Sequence, residues 1–271
     1  MRVRPTLFAL LIAVTSSFNT SAENVESEYS TPIISIILDD MGNREATDRR
    51  AVTLPGAVAC AFLPHAPYTH RMAVMAHSYN KEVMLHAPMQ ASGNNVLGPG
   101  GLTVDMPQEK FLQTLREDIA SVPHVRGISN HMGSLLTQHP DHMVWLMHEL
   151  TRHGDMFFVD SRTTSKSVAG EIAGNLGIPN IGRDVFLDNK TNIDYIRMQF
   201  NELIRKARIR GSALAVGHTY PATLDFLEKE LPRLEQYGVK LVPLSAMIEY
   251  RKRRASSWQA SLFPSPRDVK N

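Results

Sequence analysis

The 271-residue sequence contains a single cysteine, Cys60, so the chain cannot form a disulfide within itself. Net charge is also small, at +2, and the basic residues form no long stripe, which gives no reason to expect nucleic acid as a partner. No stretch after residue 22 is apolar for long enough to span a bilayer. With 43% hydrophobic and 21% charged residues, the composition is typical of a globular protein that is stabilised by its core.

The first 22 residues have the layout of a secretory signal peptide. Two arginines precede a short apolar run from Leu7 to Val14, and a stretch of small polar residues ends at Ala22. An uncleaved membrane anchor is the alternative interpretation. The sequence therefore predicts an exported protein with no stable transmembrane segment after cleavage, and residues 23–31 are predicted to be a flexible lead-in.

Short apolar runs rich in Val, Ile and Ala alternate with longer stretches that have helical spacing. Strands that alternate with helices predict a parallel sheet with crossover helices. Seven or eight such units within residues 32–250 fit a single (β/α) barrel better than the alternative, an open doubly wound sheet. Residues 251–271 are basic at first and then contain Ser and Pro, and we expect them to form a flexible tail.

Polar side chains stand where the apolar runs stop. In a parallel barrel the carboxyl ends of the strands all face one side, and barrel active sites are built on that side. Side chains that are scattered in sequence would therefore converge in space, and a set of four Asp and three His with one Asn suits a metal and proton transfer. The residues are Asp39, Asp40, His86, Asn130, His131, Asp160, Asp188 and His218.

Some of these residues have a purely structural interpretation. Asp188 could cap the helix that follows it, and Asp160 could form an ion pair with Arg162. The adjacent carboxylates Asp39 and Asp40 are harder to explain in this way, because two carboxylates placed together repel each other unless a cation neutralises them. The pair predicts a metal ion, with one Asp bound to it and the other left as a base.

Five segments carry a resemblance to a known family: IISIILDDMG, MLHAPMQ, GISNHMGS, FFVDSRTT and ALAVGHTYPATLDFL. They resemble the motifs of the YibQ-like, divergent polysaccharide deacetylase family, which is related to the NodB-type carbohydrate esterases. The resemblance covers residues 32–248. It implies a single distorted (β/α) barrel and a divalent metal, usually Zn²⁺. It also implies a metal-dependent deacetylase that removes N-acetyl groups from an envelope polysaccharide or peptidoglycan sugar in a Gram-negative periplasm.

The resemblance also implies roles for individual residues. In NodB-type enzymes a strand ends in a similar Asp-Asp pair, which makes Asp39 the base and Asp40 a metal ligand. Those enzymes take two further ligands from a His-x-x-x-His motif, but His131 has no histidine four residues before or after it. His86 is the replacement for the missing ligand. His218 corresponds to the family's strand-end histidine and would be the general acid.

The remaining residues receive supporting roles. Asp160 is expected to orient His218 or a ligand histidine. Asn130, or a backbone amide near Gly133, would stabilise the oxyanion. Asn130, Arg162 and Asp188 are the residues we expect to contact the substrate, an N-acetylated glycan or peptidoglycan.

Two other classes of function are open at this point. A metal-independent glycoside hydrolase would use Asp39 or Asp40 together with Asp160 or Asp188 on the two sides of the scissile bond. A non-catalytic module would bind a glycan or an envelope protein through a relic site, and the lack of the His-x-x-x-His pair favours that alternative. The oligomeric state does not follow from the sequence.

Overall fold

The computed structural model describes residues 31–93 and 95–262. The predicted signal peptide, nearly all of the lead-in and the last part of the predicted tail lie outside these ranges. Within them, no helix combines the length and the apolar character needed to cross a membrane.

The strands form one parallel sheet that curves into an incomplete barrel. The order of the described strands is β6-β5-β4-β3-β2-β1-β8-β7, and the short β9 pairs with β1. Helices follow most strands, and the predicted distorted (β/α) barrel is confirmed. The strands are β1 Ile33–Met41, β2 Ala59–Phe62, β3 Val83–Met89, β4 Val125–Met132, β5 Phe157–Asp160, β6 Asn180–Gly182, β7 Val185–Phe186, β8 Ser212–His218 and β9 Lys240–Leu241.

The helices bury one apolar face each against this sheet. The helix that starts at Ile193 shows which local signals set the two ends of a helix. At its start, the Asn192 side chain accepts a hydrogen bond from the Tyr195 amide, and at its end Gly211 adopts a left-handed conformation. The helices are α1 Glu45–Thr53, α2 Thr69–Ser78, α3 Gln108–Ser121, α4 Pro140–Arg152, α5 Ala169–Asn175, α6 Ile193–Arg210, α7 Pro221–Glu230 and α8 Leu244–Leu262, with 3₁₀ turns at Leu136–Gln138 and Leu231–Tyr237.

The core lies on both faces of the central strands. Every residue of β1 is buried except Asp40, and a strand covered on both faces requires such a continuous apolar run. Cys60 in β2 is fully buried, as a small core residue, and burial raises the pKa of its thiol to about 12. The rigid central strands therefore hold the side chains at their carboxyl ends in fixed positions.

The C-terminal segment differs from the prediction. A flexible tail was expected from residue 251, but α8 continues as a helix to Leu262. Arg251 contributes to this, since its guanidinium binds the Asp184 carboxylate at 2.6 Å and the Ser212 hydroxyl at 2.9 Å. The basic residues therefore anchor the start of the segment to the sheet, where composition alone predicted solvation.

Candidate metal centre

Four strands carry polar side chains to the same edge of the sheet. Asp39 lies opposite His218 in the pairing of β1 with β8. His86 in β3 lies opposite Ser129 in β4, two residues before His131. Because every pairing is parallel, the carboxyl ends of these strands meet at one edge, and the predicted convergence of these residues is present in the fold.

The backbone turns where the two adjacent carboxylates stand. Neighbouring strand residues normally point to opposite faces, but Asp40 has a left-handed φ of 60° and Gly42 has a φ of 111°. The Gly42 amide donates a hydrogen bond to the Asp48 carboxylate at 2.8 Å, which holds the turn. As a result, His86 Nε2 lies 3.5 Å from Asp39 Oδ2 and 3.3 Å from Asp40 Oδ1, so both carboxylates face one histidine.

Three potential ligand atoms converge at this turn. His131 Nδ1 lies 2.9 Å from Asp40 Oδ1, and His86 Nε2 lies 3.3 Å from the same oxygen. The ligand atoms of Asp40, His86 and His131 all lie within 4.8 Å of one another. In the described ranges, no other group of three or more His, Cys, Asp or Glu residues has its ligand atoms this close together. The structure thus brings together the three residues that the sequence predicted as ligands.

The environment of these atoms fits a divalent cation. Asp39 Oδ1 and Asp40 Oδ1 are buried. Asp39 Oδ1 has no hydrogen-bond partner among the described residues, and Asp40 Oδ1 faces the ring nitrogens of His131 and His86. His86 has its Nδ1 atom bound to the Ser129 hydroxyl at 2.7 Å, which leaves Nε2 directed at the carboxylates. The side chains of Asp40 and His131 are 35% and 18% exposed, so one side of the cluster is open to solvent. Two imidazoles, one carboxylate and an open position make up the donor set of a catalytic zinc site.

The two adjacent carboxylates have opposite electrostatic environments. Burial by itself would raise the pKa of Asp40, but hydrogen bonds and charge from His131 and His86 outweigh it and hold the pKa well below its usual range. Burial raises the pKa of Asp39, against the opposing effect of His86 and His218. One carboxylate is therefore kept ionised while the other binds a proton more readily, which separates the roles of ligand and base.

His218 is held by a carboxylate on the neighbouring strand connection. The backbone amide and Nδ1 of His218 donate to the Asp188 side chain at 2.7 and 2.9 Å, and the Thr223 hydroxyl donates to it at 2.7 Å. Burial would lower the pKa of His218, but Asp188 and the charges of Asp40 and Asp39 outweigh it and raise the pKa to about 9. The Nε2 atom lies 3.7 Å from Asp40 Oδ2, so a protonated imidazole stands beside the cluster.

Residues 36–248 match the family model described as divergent polysaccharide deacetylase. The chain belongs to that family. It is 34% identical over 223 residues to the uncharacterized protein YibQ of Escherichia coli strain K12, an alignment that covers 81% of this chain and 69% of YibQ. The family assignment made from the sequence motifs is confirmed.

Solved structures similar to this deacetylase-family chain support the fold. The crystal structure of the uncharacterized protein ATU2773 from Agrobacterium tumefaciens C58 has a TM-score of 0.77 and 22% identity over 80% of this chain and 89% of that one. BA3943, a CE4 family pseudoenzyme from Bacillus anthracis, has a TM-score of 0.50 and 12% identity over 81% of this chain and 66% of that one. At these identities the likeness shows a shared fold and nothing about activity.

Two carboxylates of this family member differ from their predicted roles. Asp160 accepts hydrogen bonds from the Arg162 amide and the Ser167 hydroxyl, both at 2.8 Å, and the contact to His218 that was expected of it belongs to Asp188. The Asp188 side chain is fully buried and both of its oxygens are engaged, so it is not available to bind substrate.

The predicted oxyanion donors are also engaged within the protein. The Asn130 side chain donates to the Met132 carbonyl at 2.7 Å and accepts from the Ser161 amide at 2.8 Å, which ties β4 to the end of β5. The Gly133 amide donates to the Met89 carbonyl at 2.9 Å. These bonds position the loop after His131, and they occupy the Gly133 amide and one of the two N–H donors of the Asn130 side chain.

Arg162 remains at the edge of the site, where substrate contact was predicted. It is exposed, has a left-handed φ of 49°, and its side chain packs so closely over Gly182 that a Cβ at that glycine would overlap the guanidinium. Its amide donates to Asp160, and the predicted ion pair between the two side chains is not among the contacts of the described residues.

Sequence reasoning missed Ser129 and Arg183. Ser129 is part of a buried strand and becomes significant only through its register opposite His86, which the sequence does not reveal. Arg183 follows β6, and its guanidinium stacks over Phe186 at 4.8 Å, close to His218. The sequence pattern gave no comparable signal for Arg183, because the short strand before it, Asn180–Gly182, is not an apolar run.

Proposed function

We propose that the protein is a metal-dependent deacetylase that removes N-acetyl groups from a sugar of an envelope polysaccharide or peptidoglycan, with Zn²⁺ held by Asp40, His86 and His131. The observation that carries the proposal is the convergence of these three ligand atoms beside Asp39 and His218. The family description supplies the polysaccharide, and the predicted signal peptide supports export to the periplasm.

The protein's own groups divide the proton transfers of amide hydrolysis between them. A divalent cation held by Asp40, His86 and His131 would supply Lewis-acid chemistry, which lowers the pKa of bound water toward ~7 and polarises a carbonyl. Asp39, whose pKa is raised by burial, accepts the proton of the attacking water. His218, whose ring is fixed by Asp188 and whose pKa that carboxylate raises, donates a proton from Nε2 to the leaving amine.

The alternatives have less support from the geometry. A glycoside hydrolase would need a second free carboxylate, but the side-chain oxygens of Asp188 and Asp160 all accept hydrogen bonds from other groups of the protein. The non-catalytic alternative rested on the missing second histidine near His131, and His86 from β3 supplies a ligand atom in its place. Neither alternative has an observation that favours it over deacetylation.

The first test is the metal content of the purified protein, measured by elemental analysis for wild type and for D40A, H86A and H131A. The matched control is H70A, since His70 is an exposed histidine on α2 outside the cluster. We expect about one zinc per chain in wild type and H70A and a loss of zinc in the other three variants. A wild-type protein that neither contains nor takes up a divalent metal would contradict the proposal.

The second test is acetate release from N-acetylated glycans by the zinc-loaded protein, with D39A as the partner variant. We expect D39A to retain zinc and to lose acetate release, because Asp39 is a base and not a ligand in this proposal. Release of reducing sugar without metal would instead identify a glycoside hydrolase. Glycan binding by a zinc-loaded wild type that releases no acetate would identify a binding module.

A further inference from the structure

A cleft of about 530 Å³ opens beside the general acid. Its wall includes Phe186, whose ring centroid lies 5.3 Å from that of His218. It also includes Arg183, whose guanidinium lies over the Phe186 ring at 4.8 Å from its centroid. The rest of the polar lining comprises one acidic residue, Asp184, and Arg162, Thr163, Asn189, Tyr195 and Gln199. The cleft has the volume of a small-ligand site, and the ring of Phe186 in its wall packs near His218, which lies 3.7 Å from Asp40 of the cluster.

Arg183 is held rigidly at this wall. Its Nε donates to the Ser161 carbonyl at 2.6 Å, and Nη2 donates to the Arg162 carbonyl at 3.1 Å. These bonds and the stack on Phe186 fix the plane of the guanidinium. The Nη1 end has no hydrogen-bond partner among the described residues, so fixed donors remain for a ligand.

The guanidinium also lacks a paired carboxylate. Burial lowers the pKa of Arg183, and the charges of Asp39 and Asp160 oppose this effect, but neither carboxylate forms an ion pair with Arg183 among the described residues. The adjacent Asp184 is occupied by Arg251 at 2.6 Å and Arg210 at 3.3 Å. A partly buried cation without a counter-ion is costly, and an anionic ligand would remove that cost.

We propose that this cleft is a subsite for a carboxylate of the glycan, so that the protein prefers N-acetylated sugars that carry an acidic substituent. A planar, fixed guanidinium matches the two oxygens of a carboxylate, and the exposed guanidinium of Arg162 adds positive charge at the same cleft. A lactyl ether on the acetylated sugar and a neighbouring uronic acid are the two sources of such a group. The inference rests on the proposed function of the adjacent metal centre.

The test compares a disaccharide of N-acetylglucosamine and N-acetylmuramic acid with the methyl ester of the same compound. Binding to the zinc-loaded protein is measured by calorimetry, and acetate release is measured in parallel. We expect wild type to bind the acid about tenfold more tightly than the ester, and R183Q to bind both about equally. An oligosaccharide that alternates N-acetylglucosamine with glucuronate distinguishes the second source of the carboxylate.

The control for charge is R205Q, which removes the same charge from an exposed arginine that pairs with Glu202 on α6 and does not line the cleft. R205Q should keep the preference for the acid. R162Q retains the backbone carbonyl that anchors Arg183 and should reduce the preference, which provides a second variant if R183Q does not fold.

The outcomes separate this subsite from the proposed function. Equal binding of acid and ester by wild type, or an unchanged preference in R183Q, would overturn the subsite even if acetate is released. A preference that depends on Arg183 in a protein that releases no acetate would support the subsite while the deacetylase proposal fails.

Discussion

Asp188 accepts two hydrogen bonds from His218, one from the backbone amide at 2.7 Å and one from Nδ1 at 2.9 Å. The double contact fixes the position of the residue and the orientation of its ring, and it assigns the Nδ1 proton. The Nε2 atom lies on the other side of the ring, 3.7 Å from Asp40 Oδ2 in the candidate metal centre. The contact with Asp188 therefore orients the imidazole of the proposed general acid and raises the pKa of that ring.

The variant D188N should lower the turnover number for acetate release by about 100-fold, because a neutral amide neither fixes the tautomer nor stabilises the charged ring. In the metal-free protein, we also expect the pKa of His218 to fall from about 9, measured by NMR titration of the imidazole. D225N is the control, since Asp225 is an exposed residue of α7 that forms an ion pair with Arg50. A wild-type turnover number in D188N would show that the contact is only structural.

The variant S129A should weaken zinc binding by about tenfold, because His86 would lose the hydrogen bond that orients its ring toward the carboxylates. Competition with a chelator measures the dissociation constant. S35A is a matched control, since Ser35 is also a buried serine of the central sheet, bonded to the Val242 carbonyl. Equal zinc affinities of S129A and S35A would count against this role of Ser129.

The variant G42A should destabilise the protein and weaken zinc binding together. A methyl group at Gly42 would overlap the Thr69 hydroxyl, and φ at this position is 111°, so we expect a loss of about 2–4 kcal/mol in the free energy of unfolding, measured with urea. G154A is the control for backbone conformation alone, since Gly154 has a φ of 78° with no atom near its Cβ position. A loss no larger in G42A than in G154A would contradict the steric argument.

The stability of the protein should depend on pH through Asp118 of α3. Burial, with a smaller effect of Glu117, raises the pKa of this carboxyl to about 8, above the ~4 of an unfolded chain. The folded protein therefore keeps a proton that the unfolded chain releases, and the free energy of unfolding falls as pH rises from ~4 to ~8. D118N has no such proton to lose, and its stability should change less over the same range.

Urea unfolding of wild type and D118N at pH 5 and pH 8 measures this effect. We expect the stability of wild type relative to D118N to fall by roughly 1–3 kcal/mol between the two pH values. D141N tests whether any Asp-to-Asn change gives the same result, since Asp141 is exposed at the start of α4. Parallel pH dependence of wild type and D118N would refute the prediction.

The sequence predicted which residues belong to the candidate site better than it predicted their hydrogen-bond partners. Asp39, Asp40, His86, His131 and His218 could be found because parallel strands deliver their carboxyl ends to one edge, which the alternation of strands and helices already indicates. The choice between Asp160 and Asp188 as the partner of the general acid was different in kind. It depends on β7 pairing with β8 across a strand order that the sequence pattern does not specify.

The C-terminal segment and the polar residues around β4 show a second feature that the sequence pattern does not predict. Asn130 looked like a free substrate contact because it ends an apolar run, but its side chain bridges β4 and β5 through two hydrogen bonds. The residues from Arg251 onward looked solvated because they are basic, but the guanidinium of Arg251 itself binds the Asp184 carboxylate. In both cases a long-range partner decides the role, and composition carries no information about such partners.

The left-handed backbone at Asp40 implies a trade-off between stability and function at this position. Glycine adopts a φ of 60° at little cost, whereas a residue with a side chain does so less favourably. Glycine at position 40 would remove this backbone cost, but it would also remove the contacts that the ionised carboxylate makes with His131 and His86. D40G should therefore have no metal centre, and the unfavourable backbone conformation persists here because the site requires a carboxylate at the turn.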